Sequence, residues 1–230
     1  MRQDPVLPEG RAKVAAVRAM FDTIAPRYDL VNRIMTFGLD RRWRAQAVRS
    51  LALPPGALVL DLACGTGDLC RDVAQAGGRA VGADLSLGML EWARTAAPLV
   101  QADAVSLPLA SGRFDGLVSG FALRNFADLA GVLAEAGRVL RPGGRLALLD
   151  VSTPANPILR SGHALYFGHV VPRIGAALSD RDAYRYLPKS VAYLPTPDRL
   201  IEMVSEAGFE GVERKTLSGG ITQLITGSRT

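Results

Sequence analysis

The amino-acid sequence predicts an α/β fold built on a parallel, doubly wound sheet. Apolar runs typical of strands alternate with helical patterns between residues 57 and 152, and a Gly-x-Gly turn joins the first strand to the first helix. Acidic residues also recur where successive strands end. Because parallel strands need crossover connections, which are usually helices, this alternation favours a parallel sheet with helices packed on it.

Short apolar runs mark the strands of this unit, and apolar residues at helical spacing, such as Leu129, Val132 and Leu133, mark the helices. Leu53-Pro54-Pro55-Gly56 ends the preceding helices, and Ser86 is a typical N-cap because its hydroxyl can accept a backbone N–H. The elements predicted in order are strand 57–63, helix 68–76, strand 79–85, helix 86–96, strand 98–103, strand 114–120, helix 127–140 and strand 145–152.

The C-terminal part adds a helix at 196–209 and two strands at 210–217 and 219–228, which makes seven strands. Ser218-Gly219-Gly220 between the last two predicts an antiparallel hairpin at the sheet edge. A segment of 43 residues, 153–195, precedes that helix and is longer than a crossover needs, so it predicts a helical, functional insertion. Residues 1–50 are predicted as a helical lid, and residues 51–230 as the main domain.

The composition excludes several classes of protein. Of 230 residues, 48% are hydrophobic and 21% charged, and no uncharged apolar run is long enough for a transmembrane helix. The polar, proline-containing N-terminus lacks a secretory signal, so the expected location is the cytoplasm. The spacing of the cysteine pair and of the histidine pair fits no metal site.

The net charge of +5 resides in residues 1–50, which hold ten Lys or Arg and five Asp or Glu. Two interpretations stay open. This segment is either a pair of solvated amphipathic helices covering a core, or a basic, apolar face suited to an anionic membrane surface or nucleic acid.

The turn after the first strand predicts a cofactor site. Gly65-x-Gly67 is a weak motif, and a dinucleotide site would have a third small residue where Cys70 stands. The turn is flanked by Asp61 and Asp68, with no basic residue between 59 and 70, which disfavours a pyrophosphate.

Two carboxylates suit a cationic ligand better, and S-adenosylmethionine is a sulfonium cation without phosphate. The second strand ends at Asp84, seventeen residues after Gly67, where a carboxylate can bind the ribose hydroxyls. Asp103 ends the third strand and can accept from the adenine amino group. With Asp61, these residues line one crevice at the carboxyl ends of parallel strands. The sequence therefore predicts a Rossmann-like, class I S-adenosylmethionine-dependent methyltransferase.

The acceptor is indicated by the segment after the fourth strand. Methyltransferases of nucleic-acid amino groups carry an Asn/Asp-Pro-Pro-aromatic turn there, whereas this chain has SGFALRNF (119–126). RYDLVNRIMTFGLDRRWR (27–44), FALRNF, GRVLRPGGRLALLDVS (137–152) and HVVPRIGAALSDRDAYRYLPKSV (169–191) closely resemble the ubiquinone/menaquinone biosynthesis C-methyltransferase family. The resemblance covers about residues 14–227 and is closest to the menaquinone enzymes. One departure is Asp40, where the family often has His.

The motifs and the resemblance together imply a set of site residues and partners. Cofactor contacts are expected at Asp61, Gly65, Thr66, Gly67, Asp84, Leu85, Asp103, Ala104 and Ser119. Catalytic candidates are Arg124, Tyr28, Asn125 and His169, and lid candidates are Tyr166, Tyr184 and Tyr186. The implied substrate is a lipophilic quinol, with transient contact to the inner face of the cell membrane, no nucleic acid, and a homodimer among the open oligomeric states.

The predicted reaction moves a methyl group from sulfonium sulfur to a ring carbon of a demethylated naphthoquinol. That carbon becomes nucleophilic when a phenol loses its proton, so Arg124 is expected to stabilise the phenolate. A guanidinium is a poor proton acceptor, so Tyr28, Asp29, Asp150 and His169 are candidates to relay the proton. Alternatives are methylation of a soluble phenol or of the benzoquinol in the ubiquinone pathway, and a cofactor-binding subunit without catalysis.

Overall fold

The computed structural model describes residues 9–171, 173, 174, 186 and 190–230. The helices of this part of the chain are α1 (Gly10–Ile24), α2 (Tyr28–Met35), α3 (Asp40–Ser50), α4 (Asp68–Gln75), α5 (Leu87–Glu91), α6 (Leu129–Val139), α7 (Pro157–Leu165) and α8 (Pro197–Glu206). The strands are β1 (Leu58–Leu62), β2 (Arg79–Asp84), β3 (Leu99–Gln101), β4 (Phe114–Gly120), β5 (Leu140–Val151), β6 (Phe209–Leu217) and β7 (Thr222–Arg229).

The seven strands form one sheet in the order β3-β2-β1-β4-β5-β7-β6. Strands β1 to β5 run parallel, and β7 pairs antiparallel with both β5 and β6. The predicted α/β architecture with an antiparallel C-terminal hairpin is confirmed. The strand order reverses between β1 and β4, and a sheet of this kind binds ligands outside the carboxyl ends of the strands at such a point.

Helices cover both faces of the sheet. Alternate side chains of a strand point to opposite faces, so Val59 packs in the layer of α3 and α4, and Leu60 in the layer of α6 and α8. Trp43 of α3 is buried in the first layer, and its indole nitrogen donates to the Ser218 hydroxyl at 2.8 Å. The helical layer of the sheet therefore begins before residue 50, inside the segment predicted as a lid.

The two helices before α3 lie over the carboxyl end of the sheet. Ile24 of α1, Val31 of α2 and Met89 of α5 form a small buried cluster. The Asp22 carboxylate accepts from the Ser86 hydroxyl at 2.5 Å and from the Gly88 amide at 3.0 Å, which attaches α1 to the first turn of α5.

Two elements differ from their predicted bounds. α5 ends at Glu91 instead of residue 96, because the chain turns back and the Arg94 amide donates to the Thr66 carbonyl at 3.0 Å. β5 begins at Leu140, five residues early, because Leu140 already pairs with Phe114 before the register shifts. The described part of the insertion contains α7 and a π-helical turn, Tyr166–Val170.

Candidate active site

A cleft enclosing about 970 Å³, part of it open to solvent, lies at the carboxyl ends of β1, β2 and β4. α1 contributes Val14, Val17 and Phe21 to its wall, so the N-terminal helix covers the site. Most lining residues are apolar, and the ionisable ones that the structure describes include three carboxylates, Asp84, Asp103 and Asp128.

The glycine-rich turn forms one side of the cleft. Gly67 lies in the left-handed region with a φ of 80°, and a Cβ there would lie 2.7 Å from the Thr95 side chain, so the position requires glycine. Gly65 lines the cleft, and its amide donates to the Asp84 carboxylate at 2.8 Å. This bond links the turn after β1 to the end of β2.

Asp61 lies behind this turn and is fully buried. One carboxylate oxygen accepts from the Cys70 amide at 2.9 Å, and the other has no hydrogen-bond partner among the described residues. Burial is the main cause that raises the pKa of Asp61 to about 7. The unpaired oxygen of a buried carboxyl group suits a cationic group of a ligand, because a nearby positive charge stabilises the carboxylate.

Asp84, Leu85, Asp103 and Ala104 line the cleft, as the sequence predicts for cofactor contacts. The Asp84 oxygens accept from the Gly65 and Ser86 amides, both at 2.8 Å, and burial is the first cause that raises its pKa. Each carboxylate oxygen has two lone pairs, so Asp84 retains acceptor capacity for hydroxyl donors. Among the described residues, the Asp103 carboxylate accepts one hydrogen bond, from the Val105 amide at 3.2 Å.

Thr66 and Ser119, which the resemblance assigns to the cofactor, are buried and lie outside the cleft lining. The Thr66 hydroxyl donates to the Asp29 carboxylate at 2.5 Å, and the Ser119 hydroxyl donates to the Leu62 carbonyl at 2.7 Å. The first bond joins the glycine-rich turn to α2, and the second joins β4 to β1. Asp61 and Gly67 also lie outside the cleft lining, so direct cofactor contact by Asp61, Thr66, Gly67 and Ser119 stays a prediction.

Arg124 belongs to a 3-10 turn after β4 and is buried against β5. Its Nη1 donates to Asp150 at 2.5 Å and to the Phe121 carbonyl at 2.9 Å, and its Nε donates to the Ser190 hydroxyl at 3.2 Å. Asp150 is fully buried, so the charge of Arg124 is balanced inside the protein. The guanidinium lies behind the cleft wall and does not line it. Its catalytic role stays a prediction.

Tyr28 and Asn125 lie on the cleft wall. The Asn125 Oδ1 is buried without a partner in the described part of the chain, which leaves an acceptor for a ligand. Burial raises the pKa of the Tyr28 phenol, although a hydrogen bond with Asn32 and the positive charge of Arg124 each lower it. Tyr28 is therefore protonated near neutral pH, and the positive charge of Arg124 favours its ionised form.

The remaining predicted residues that the structure describes, Tyr166, Tyr186 and His169, lie outside the cleft lining. The Tyr166 hydroxyl donates to the Met35 carbonyl at 2.8 Å. The Tyr186 hydroxyl is buried without a described partner, and burial raises its pKa to about 12. His169 is exposed, and its carbonyl accepts from Arg173 at 2.8 Å. Tyr184 lies outside the described residues.

Asp40 is buried at the start of α3 and lies outside the cleft lining. It accepts from Arg44 Nη1 at 2.5 Å and from the Thr36 hydroxyl at 2.7 Å. Arg44 also contacts Asp68 and Asp72 of α4 at 2.9 Å each. Asp40, which stands where the family often has His, is therefore part of an ion-pair group between α3 and α4.

Two residues of α1 that hold the site together were not predicted from the sequence. Lys13 is buried, its Nζ donates to the Phe126 carbonyl at 2.8 Å, and it lies 3.5 Å from the centre of the Tyr193 ring. Burial lowers the pKa of Lys13 to about 8. Its helical spacing to Val17 could have placed it on the inner face of α1. For Asp22, no comparable spacing in the sequence predicts its contact with α5.

The parallel sheet, the glycine-rich turn and the acidic cleft define a class I S-adenosylmethionine-dependent methyltransferase. A solved structure from Thermotoga maritima, described as an S-adenosylmethionine-dependent methyltransferase, has the same fold with a TM-score of 0.61 and 20% identity, covering 93% of this chain and 100% of that chain. The chain itself matches the ubiE/COQ5 methyltransferase family over residues 9–229 and belongs to that family.

Two curated relatives match over nearly their full length. A Syntrophotalea carbinolica protein named ubiquinone/menaquinone biosynthesis C-methyltransferase UbiE is 46% identical over 92% of this chain and 93% of its own. A Roseiflexus castenholzii protein named demethylmenaquinone methyltransferase is 41% identical over 96% of this chain and 97% of its own. The predicted family and enzyme class are confirmed.

Proposed function

We propose that the protein transfers a methyl group from S-adenosylmethionine to a ring carbon of a demethylated lipoquinol, converting demethylmenaquinol to menaquinol. The observation that carries this proposal is the match to a demethylmenaquinone methyltransferase over 96% of the chain, which includes the N-terminal helices and the insertion. The benzoquinol of the ubiquinone pathway is the second candidate, since the name of another relative includes both quinones.

The charge of the cleft supports binding of S-adenosylmethionine. Arg18 is the one basic residue among the described residues that line the cleft, and it lies 3.8 Å from Asp22. Asp84 is positioned to accept from ribose hydroxyls, and Asp103 from the adenine amino group. Asp61, buried behind the glycine-rich turn and outside the cleft lining, has an unpaired oxygen that adds to the preference of this end of the site for a cation. The bound cofactor supplies an electrophilic methyl group on positively charged sulfur.

The polar residues of the opposite wall support a quinol site. Because its raised pKa keeps it protonated, Tyr28 would donate a hydrogen bond to the oxygen of the quinol as that oxygen becomes negative. The amide of Asn125 would contact the same ring. Arg124, paired with Asp150, lies behind this wall, where its charge favours the ionised form of the Tyr28 phenol. A hydrogen-bond donor positioned in advance for a developing oxyanion contributes about 3 kcal/mol to transition-state stabilisation.

The proposed substrate also explains why a cytoplasmic enzyme would contact a membrane. An isoprenoid tail holds a lipoquinol in the bilayer, and within the described ranges no helix is long and apolar enough to cross one. The enzyme would therefore meet its substrate by peripheral contact with the inner face of the cell membrane.

The test is a turnover assay with purified protein, S-adenosylmethionine and a short-chain demethylmenaquinol kept reduced. We expect the product to gain one methyl group by mass spectrometry and to carry it on a ring carbon by NMR. Tyr28→Phe should lower kcat about tenfold or more at unchanged cofactor affinity, since the ring stays and only the donor is lost. Methylation of a soluble phenol without turnover of the naphthoquinol would refute the proposal.

A further inference from the structure

An exposed apolar surface lies on the outer side of α2, on the turn that follows it and along α7. We propose that this surface docks the protein on an anionic lipid bilayer, an inference that rests on the proposed lipoquinol function. Its apolar members, called the docking patch below, are Leu30, Ile34, Phe37, Ile158, Leu165 and Val170.

The two segments of the docking patch are joined by direct contacts. The Tyr166 hydroxyl donates to the Met35 carbonyl at 2.8 Å, and the rings of Tyr166 and Phe37 are 5.7 Å apart. α7 contains no buried residue, and Ile158 at its start is 82% exposed, while Phe37 is 79% exposed. Single exposed apolar residues are ordinary, but adjoining apolar segments with a whole helix unburied indicate a surface that meets another apolar phase.

α2 connects the docking patch to the active site. Its inner side contributes Tyr28 to the cleft and the fully buried Val31 to the cluster beneath α1. Its outer side exposes Leu30 and Ile34. The patch therefore lies about 10 Å from the cleft, the diameter of one helix. This proximity favours an occupant that delivers the substrate, which for a lipoquinol is the bilayer.

The charge of the same segments selects an anionic surface. Neither residues 30–39 nor residues 151–179 contain an Asp or Glu. Arg33, Arg160 and Arg173 are exposed beside the apolar residues. Anionic lipids attract such arginines, whereas a second copy of the same basic surface would be repelled. An apolar, basic and acid-free face of this kind is typical of proteins that lie at a membrane interface.

The test measures co-sedimentation of the purified full-length protein with vesicles of phosphatidylcholine containing phosphatidylglycerol, and with pure phosphatidylcholine vesicles. We expect binding to the anionic vesicles that weakens as salt screens the arginines. Phe37→Asn combined with Leu165→Gln should lower the partition coefficient by about tenfold or more. Asn is compatible with the left-handed φ of 52° at Phe37, so the fold should persist.

Matched control variants test whether binding is located at the docking patch. Trp92→Asn removes an exposed aromatic residue outside the patch, and it should leave binding unchanged. Arg33→Gln with Arg160→Gln should weaken binding roughly tenfold, whereas Arg79→Gln with Arg113→Gln, exposed at the opposite end of the strands, should not.

A second readout separates this inference from the proposed function. Turnover of a tail-less naphthoquinol in solution should be equal in the wild-type protein and the patch variants. Normal turnover without binding to anionic vesicles would overturn the docking surface and leave the function standing. Vesicle binding that depends on the patch, without turnover of any quinol, would overturn the function instead. A dimer that patch substitutions dissociate, without vesicle binding, would assign the surface to a second copy and refute the proposal.

Discussion

The substitution Asp150→Asn tests whether the buried ion pair of Asp150 with Arg124 holds the cleft wall that carries Tyr28 and Asn125. Asp150 is fully buried and contacts Arg124 Nη1 at 2.5 Å, so the substitution leaves a buried guanidinium without its counterion. Removal of one partner of such a pair costs about 3–5 kcal/mol of the free energy of unfolding. Asn can still accept from the Val151 amide, a bond of 2.7 Å in the native protein, and Arg124 keeps its bond to the Phe121 carbonyl. We therefore expect the free energy of unfolding to fall by about 3 kcal/mol, the lower end of this range.

Urea denaturation followed by circular dichroism at pH 7 measures this loss, and kcat should fall in the same variant because the guanidinium is no longer held. The double variant Arg124→Gln/Asp150→Asn should recover part of the stability, because no unpaired charge remains inside. Glu206→Gln, which breaks an exposed pair with Arg199, is the control and should change little. A loss below about 1 kcal/mol for Asp150→Asn would refute the reasoning.

Two further predictions concern the glycine-rich turn and the covering helix. Gly67→Ala should cost at least about 2 kcal/mol and weaken binding of S-adenosylmethionine by calorimetry, because it combines a left-handed φ with a contact to Thr95. Gly112→Ala, with a φ of 64° and open space around it, isolates the cost of the φ angle, and an equal loss there would contradict the steric argument. Burial lowers the pKa of Lys13 from its usual 10.5 to about 8 in the folded state. The unfolded chain therefore binds more protons between these pH values, and stability rises with pH across that window. Lys13→Met should abolish this rise in urea titrations, and a wild-type stability that falls over the same range would contradict the assignment.

The strands of the sheet were predictable because local features define them. β4 spans Phe114–Gly120, the predicted bounds, since it is an apolar run limited by turns on both sides. α5 was predicted too long because its end depends on a bond between Arg94 and Thr66, which are distant in sequence. The packing of α3 on the sheet also depends on a distant contact, between Trp43 and Ser218. Patterns within a helix do not show which layer it joins.

The acidic side of the site was predictable for a topological reason. Parallel strands bring their carboxyl ends to one edge, so acids that end successive strands, Asp84 and Asp103, lie on one cleft. The partner of Arg124 could also have been derived, because Gly120 pairs with Leu149 and Asp150 follows directly. The contacts of Lys13 and Asp22 could not, because each joins α1 to a segment more than sixty residues away.

These two contacts determine how the cleft is covered. Lys13 fixes one end of α1 to the loop after β4, on the side of the proposed quinol site, and Asp22 fixes the other end to α5, on the side of Asp84. Nine residues of helix separate them, a span of about 13 Å. α1 is a single rigid element, so displacement at one end to admit a ligand strains the contact at the other. Because Val14, Val17 and Phe21 of this helix line the cleft, the same element covers both halves of the site when both contacts are formed. Such cover favours methyl transfer between two bound molecules, since a developing phenolate is stabilised by fixed donors more strongly where less water reaches it.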